Sequence, residues 1–239
     1  MKLLFLLLKG AKFGKLLSTS GTMLLSVIAY AFIFGWRYAI GFVGLIFVHE
    51  MGHYIAARQR GLNVGAPMFI PFVGAWIELK EMPHNVETEA YVGLAGPLAG
   101  TLGALACYFF ARHFASDLLL ALAYSGMFLN LFNLIPLAPF DGGRITAVLS
   151  PRIWLLGVPI LIAVFFWRPS PMLILITLLA APQLKKAWHY NPDTEENRAY
   201  YAISTEARLT YAAYYLALAG FLAVMMHELH EMLSHVHGA

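Results

Sequence analysis

The chain has 239 residues, of which 60% are apolar and only 12% are charged, and its mean hydropathy is +0.68. Because soluble domains carry about 25% charged residues, this composition excludes a soluble globular protein and a disordered chain alike. The net charge of +3 is dispersed and the single cysteine is Cys107, so the sequence offers neither a nucleic-acid-binding surface nor a disulfide or Cys-rich metal framework. It predicts an all-α polytopic membrane protein built as one domain.

Residues 1–18 place lysines at positions 2, 9, 12 and 15 among leucines, which predicts an interfacial helix rather than a signal peptide. Seven apolar runs follow, and their lengths are compared with the length of about 20 residues that a membrane-spanning helix needs. They cover residues 19–36, 38–57, 90–111, 117–137, 153–167, 171–181 and 209–226. The two short runs, 153–167 and 171–181, form either a two-span hairpin or one kinked element. We therefore predict six to seven transmembrane helices within residues 19–226.

With seven spans, the basic residues are divided unequally between the two sides of the membrane. One side receives the N-terminal lysines and most of the later basic residues, whereas the other receives Arg37, Arg112 and Arg168. By the positive-inside rule, the N-terminus is cytoplasmic. We expect a multi-pass protein of the cell membrane, and the compact chain suits a bacterial plasma membrane.

The second predicted span contains the sequence HEMGH, in which His49 and His53 are separated by one helical turn. Two histidines at this spacing share one helix face and can hold one zinc ion. Glu50 lies beside them and can accept a proton from a water molecule that the ion activates. Ionisable residues inside a span are costly and are functional by default. The alternative is a pair of helix-end histidines that reach the membrane interface.

Residues 64–82 hold prolines, glycines and alternating β-formers, which predicts a small β-rich, membrane-associated insert rather than a helix. Irregular backbone at membrane depth is tolerated only where protein or a wet cavity covers it. We therefore expect this insert to line a polar cavity.

Zinc requires a third protein ligand, and Asp141 is the candidate on the same side of the membrane as the two histidines. Pro136 and Pro139 interrupt the helix before it, and the glycine pair after it permits a sharp turn. A solvated aspartate at a helix-terminating turn is the alternative interpretation.

At this point the chain resembles the site-2 protease family of intramembrane zinc metalloproteases. The resemblance rests on HEMGH at 49–53, GPLAG at 96–100 and NLIPLAPFDGGR at 133–144, and it covers about residues 38–150. It implies a helical core with one Zn²⁺ per chain below the membrane surface. The implied substrate is a transmembrane protein, cut in or near a membrane-spanning segment as part of regulated intramembrane proteolysis.

Carried over to this sequence, the resemblance implies His49, His53 and Asp141 as the metal ligands and Glu50 as the general base. It also implies that Asn133 is catalytic and stabilises the oxyanion of the tetrahedral intermediate. An interhelical hydrogen bond is the alternative role for Asn133. Asn130 lies one turn earlier, and its role is left open.

The chain departs from the family pattern in two ways. Many relatives have an asparagine where this chain has Gly100, so a polar contact near the site is either missing or supplied by another residue. No PDZ-like insert or regulatory domain is recognised, which indicates a minimal form whose substrate access depends on loops or a regulatory membrane partner. The spacing of Gly96 and Gly100 predicts close packing within the chain in preference to a homo-oligomer.

A membrane metal-ion transporter or metal-handling protein is the alternative function. Histidine and aspartate inside the membrane would suit it, as would the His-rich C-terminal tail, residues 227–239. The presence of Glu50 disfavours this alternative, because metal transport does not need a general base.

Overall fold

The computed structural model describes residues 19–72, 74–76, 81, 83–167 and 169–237, and these are mostly helical. The predicted interfacial helix at residues 1–18 lies outside the described residues. The elements in chain order are α1 (Thr19–Phe34), α2 (Trp36–Gln59), β1 (Met68–Ile70), β2 (Gly74–Trp76), α3 (Val86–Phe114), α4 (Asp117–Asn133), α5 (Asp141–Thr146), a 3₁₀ helix (Pro151–Leu156), α6 (Gly157–Trp167), α7 (Pro171–Trp188), α8 (Glu195–Tyr200) and α9 (Thr205–His237).

Three helices in the described part of the chain are long and apolar enough to cross a membrane, and they are α2, α3 and α9. Shorter apolar helices cover α1, α4 and residues 151–167. Large apolar side chains also face outward, such as Phe32 (88% exposed) and Phe166 (80% exposed), which suits contact with lipid. The prediction of a helical membrane protein is confirmed, whereas the count of six to seven spans stays a prediction.

The helix ends follow from local chemistry. Gly35 has a φ of +82° and separates α1 from α2, a backbone conformation that glycine adopts without steric cost. The Asn85 side chain accepts a hydrogen bond from the Thr88 backbone N–H (2.8 Å) and so caps α3. The predicted fourth span extends to residue 137, but α4 ends at Asn133, ahead of Pro136, which cannot donate to a helical carbonyl. The last predicted span ends at residue 226, yet α9 continues through the predicted tail to His237.

The insert predicted at residues 64–82 contains a short antiparallel ribbon, in which Phe69 lies opposite Ala75. The ribbon is fixed to α1 by two hydrogen bonds. The Phe69 backbone N–H donates to Thr22 Oγ1, and the Phe72 backbone N–H donates to the Tyr30 hydroxyl, both at 3.2 Å. Both strands are three residues long. Residues 73, 77–80 and 82 lie outside the described part, so β structure in the rest of the insert stays a prediction.

The centre of the molecule is formed by α2, α3 and α4, with α9 packed on α4 and α5 packed on α3. Most of the buried apolar residues of α3, α4, α5 and α9 belong to one continuous cluster. A group of buried polar side chains lies on the inner faces of α2, α4 and α5. They are His49, Glu50, His53, Asn130 and Asp141.

The polar segment between α7 and α9 is held against this centre. The Tyr200 hydroxyl donates a hydrogen bond to Glu89 Oε2 at 2.6 Å, near the start of α3. Burial, and then the neighbouring Glu89 carboxylate, raises the pKa of the Tyr200 phenol, so the phenol stays protonated and remains a donor. Arg208 donates to the backbone carbonyls of Val148, Leu149 and Tyr201. These contacts fix the segment next to the connection between α5 and the 3₁₀ helix.

Candidate metal centre

Three side-chain atoms converge at one point between α2 and α5. Nε2 of His49 and Nε2 of His53 are 3.1 Å apart, and each lies 3.2 Å from Oδ2 of Asp141. All three residues are buried, and their candidate ligand atoms lie within 4.8 Å of one another. The structure therefore brings together the three ligands that the sequence predicted.

The other ring nitrogen of each histidine has its own partner. Nδ1 of His53 donates to the backbone carbonyl of Val92 (2.7 Å), which can only accept. Nδ1 of His49 lies 2.8 Å from Oδ1 of Asn130. With the ring protons on Nδ1, the two neutral imidazoles turn their Nε2 lone pairs towards the Asp141 carboxylate. Three buried hydrogen-bond acceptors that face one another are unfavourable unless a cation lies between them.

The dimensions of this group fit zinc. Nitrogen and oxygen ligands at about 2.0–2.2 Å from a tetrahedral zinc ion are roughly 3.3–3.6 Å apart. The observed separations of 3.1 to 3.2 Å come close to that range. Two imidazoles and one carboxylate are a donor set that catalytic zinc sites use, with the fourth position left open. Zn²⁺ is thus the cofactor that this donor set implies.

Asp141 begins α5 and is positioned by contacts behind it. The Trp154 indole N–H donates to the Gly143 carbonyl at 2.8 Å, and the Thr146 hydroxyl donates to the Gly142 carbonyl at 2.7 Å. The Tyr215 hydroxyl of α9 donates to the Leu134 carbonyl at 2.7 Å, on the other side of the turn. These bonds orient the turn that carries the carboxylate.

Glu50 shares a cavity of about 120 Å³ with the three ligands. The glutamate is only 6% exposed, and so its carboxylate faces a small, enclosed space. The remaining lining residues come from α2, β2, α3, α4, the turn after α4, and α5. They are Ala57, Ala75, Val92, Asn133, Pro139 and Arg144. A base beside a metal, in a space sized for a few water molecules, is suited to activating water.

The two asparagines of α4 have different positions. Asn133 lines the cavity, and one N–H of its amide donates to the Leu129 carbonyl (3.1 Å), which leaves a second N–H for a ligand. Asn130 is 1% exposed and contacts His49. Asn130 also lies against Gly100, so it is the candidate for the polar contact that the sequence left open at that position.

Sequence reasoning gave Arg144 no role beyond its charge and did not find the Val92 carbonyl. Arg144 follows the ligand turn by three residues and lines the cavity with Glu50. Its place in the DGGR sequence was the available signal. No signal marks Val92, because a backbone carbonyl is common to every residue type.

The face of α3 that carries its glycines lies against the candidate metal centre. A Cβ on Gly96 would lie 2.2 Å from Nε2 of His53, and a Cβ on Gly93 would lie 2.9 Å from the Cβ of Arg144. A Cβ on Gly100 would lie 2.3 Å from Oδ1 of Asn130. These contacts are all within one chain, as the glycine spacing predicted.

We expect Gly96→Ala to lower zinc affinity by about tenfold or more, because the added methyl group displaces a ligand ring that is also held by Val92. Gly44→Ala on α2 is the matched control, since a Cβ there meets nothing within 4 Å. Zinc affinity is measured by competition with a chelator of known affinity. Equal zinc affinity in the two variants would contradict the packing argument.

Among the residues whose side chains the structure describes, the predicted tail adds no second group of three or more His, Cys, Asp or Glu side chains that could share an ion. His230 instead packs near Tyr124, with the ring centroids 6.0 Å apart.

Fold and site together define a helical membrane protein with a candidate two-histidine, one-carboxylate metal centre and an adjacent glutamate, an arrangement typical of zinc metallopeptidases. Comparison with known proteins gives the family. The model of peptidase family M50 matches residues 37–116, which include both histidines and Glu50. This match, together with the curated relatives, supports assigning the chain to this family, the site-2 proteases.

Curated relatives agree with the family assignment. A zinc metalloprotease of Methanocaldococcus jannaschii is 29% identical over 134 residues, which are 54% of this chain and 38% of that protein. A probable chloroplastic zinc metalloprotease of Arabidopsis thaliana is 35% identical over 67 residues, 26% of this chain and 12% of the relative. A probable chloroplastic zinc metalloprotease of Oryza sativa subsp. japonica is 26% identical over 179 residues, 52% of this chain and 33% of the relative. The chain therefore spans well under half the length of each of these relatives.

Proposed function

We propose that the chain is an intramembrane zinc endopeptidase that hydrolyses peptide bonds in or near transmembrane segments of membrane-protein substrates. The observation that carries this proposal is the position of Glu50, which is buried in the same cavity as the three converging ligand atoms. A site that only stores or moves a metal ion has no need of a second carboxylate that does not bind the ion. The names of the relatives support the same reaction.

His49, His53 and Asp141 would hold the zinc ion, which supplies Lewis acidity towards the attacking water and the scissile carbonyl when bound. Glu50 accepts a proton from the water while the water oxygen bonds to the carbonyl carbon. Glu50 then gives this proton to the amide nitrogen as the C–N bond breaks, so that a carboxylic acid and an amine leave. Asn133 lines the cavity and has a second amide N–H, which in this proposal donates to the developing oxyanion.

The membrane arrangement is part of the proposal. Six or seven spans and a cytoplasmic N-terminus follow from the apolar runs and from the distribution of basic residues. Because α2 carries His49 and His53 and is itself long and apolar enough to span, we propose that the cavity lies at membrane depth. A bacterial plasma membrane is the proposed location, and a homo-oligomer or a regulatory membrane partner stays a prediction.

The ribbon offers a means of presenting an extended substrate. Ala75 of β2 lines the cavity, next to the ligands. Proteins commonly bind extended peptides by adding them as a strand to an exposed sheet edge. We propose that the segment to be cut unwinds and pairs with β2, which brings its backbone to the metal centre.

Ala75→Pro is expected to reduce cleavage about tenfold or more, because proline removes a main-chain donor from the ribbon. Zinc content should not change, since no ligand lies in β2. Ala75→Val, which suits a strand, is the matched control for side-chain size. Full cleavage by the proline variant would rule out strand pairing at β2.

The function is tested by purifying the chain in detergent, measuring its zinc content and incubating it with a panel of single-span model substrates. We expect about one zinc ion per chain. We also expect cleavage that stops on zinc removal and returns on zinc addition, with the cut sites read by mass spectrometry. Cleavage that persists in zinc-free protein would overturn the proposal.

Metal transport is the second candidate, because the three candidate ligands are buried and two of them belong to a helix that is long and apolar enough to span a membrane. Proteoliposomes that enclose a zinc-sensitive dye distinguish the two functions. A protein-dependent influx of zinc, with no cleavage of any substrate, would favour transport. Cleavage with no influx would favour the peptidase.

A further inference from the structure

The side chain of Asn130 is the most enclosed polar group next to the metal centre. It projects from α4, is 1% exposed and makes two hydrogen bonds. Oδ1 lies 2.8 Å from Nδ1 of His49, and Nδ2 donates to the Gly126 carbonyl at 2.7 Å. The side chain thus connects a metal ligand on α2 to the backbone of α4.

The Gly126 carbonyl determines which way the amide faces. A carbonyl oxygen can only accept a hydrogen bond, so the NH₂ group of Asn130 must point towards it. The amide oxygen then points at His49 and can only accept, which places the ring proton on Nδ1. Nε2 is left as the nitrogen that faces His53 and Asp141. Asn130 therefore sets both the tautomer and the rotation of the His49 ring.

Gly100 supplies the space in which this amide lies. A Cβ at position 100 would be 2.3 Å from Oδ1, 2.7 Å from Nδ2 and 2.9 Å from Cγ of Asn130. The atoms it would meet belong to a short amide that is bonded at both ends, so the amide cannot move without losing a hydrogen bond. Gly100 thereby acts on the metal centre through Asn130, although it contacts no ligand itself.

We propose that Asn130 is a positioning residue, which presents Nε2 of His49 to the metal, and that Gly100 is required because it leaves room for the Asn130 amide. The inference rests on the proposed zinc peptidase function, but it concerns the affinity of the site for the ion. Outer partners of metal-bound histidines typically contribute about 10–100-fold to metal affinity or activity.

The test is a double-mutant cycle of Asn130→Ala and Gly100→Ala, with zinc affinity measured by competition with a chelator. We expect each single variant to lose about 10–100-fold in affinity. In the Asn130→Ala background, Gly100→Ala should lower zinc affinity by less than about threefold, because the Asn130 amide no longer occupies the space that the added methyl group enters. Gly103→Ala is the matched control on α3, because its Cβ would meet the flexible end of Leu45 at 3.2 Å.

Asn130→Asp separates positioning from packing, because it keeps an acceptor oxygen for His49 and nearly the same shape, although it loses the hydrogen bond to the Gly126 carbonyl. We expect its zinc affinity to exceed that of Asn130→Ala about tenfold, whereas a packing role would require only the shape and would also be satisfied by Asn130→Leu. Where cleavage is measured, kcat should fall with KM nearly unchanged.

Two results would overturn the inference. One is wild-type zinc affinity in Asn130→Ala or, if that variant does not fold, in Asn130→Leu. The other is a loss of zinc affinity on Gly100→Ala that is equal in the wild-type and the Asn130→Ala backgrounds. Zinc affinity that follows the cycle in a protein with no cleavage of any substrate would refute the proposed function and leave the positioning role intact.

Discussion

Replacing Glu50 by glutamine is expected to lower the rate of cleavage by roughly 10²–10⁴-fold, the usual contribution of a general base. The amide has the shape of the carboxylate but cannot accept the proton of the attacking water. Zinc content should stay near that of the wild type, because the converging ligand atoms belong to His49, His53 and Asp141. Both quantities are measured on the same purified sample.

Glu196→Gln is the matched control, since Glu196 is exposed in the first turn of α8, outside the apolar helices. Its rate and zinc content should equal those of the wild type. A Glu50→Gln variant that cleaves at the wild-type rate would assign the base to another residue. Loss of both zinc and cleavage in Glu50→Gln would instead make Glu50 a structural part of the metal site.

Much of the candidate site is predictable from sequence because its geometry is local. His49 and His53 share a face of α2 by helical periodicity alone, and Glu50 accompanies them. Asp141 required a longer argument, which used the side of the membrane on which it lies and the proline and glycine residues that flank it. The structure brings it within 3.2 Å of both histidines.

The contacts that orient the ligands are not predictable in this way. His49 contacts Asn130 across 81 positions of sequence, and His53 contacts the Val92 carbonyl across 39. Neither separation corresponds to the period of a helix or a strand, because both contacts depend on how α2, α3 and α4 pack. Gly100 departs from the family pattern, but only the packing of α3 on α4 shows that the Asn130 amide lies against it.

The helices were predicted better than their ends. Every predicted apolar run corresponds to a helix, because composition alone distinguishes such runs. The predicted runs are separated at Arg37, whereas α1 and α2 are separated at Gly35. The positive φ of Gly35, and not the charge of Arg37, determines where the first helix ends. The polar residues of the predicted tail continue α9, because helix propensity does not end where hydropathy does.

Asp141→Ala is expected to have the largest effect on metal binding. It reduces the protein ligands from three to two and removes the only anionic donor of the group. We expect zinc affinity to fall by more than about 100-fold, which exceeds the effect of losing an outer partner of a ligand. Asp141→Asn keeps a neutral oxygen donor and should lie between Asp141→Ala and the wild type.

Thermal stability in the presence of zinc measures this difference without any substrate. At a free zinc concentration of 100 times the wild-type Kd, binding stabilises the folded state by about 2.7 kcal/mol. A variant whose Kd is raised about 100-fold gains only about 0.4 kcal/mol at the same concentration. The unfolding temperature of the wild type should therefore rise on zinc addition, while that of Asp141→Ala should barely change. Asp193→Ala, at an exposed aspartate paired with Arg198, should respond as the wild type does. An equal zinc response in Asp141→Ala would show that the third ligand is a different residue.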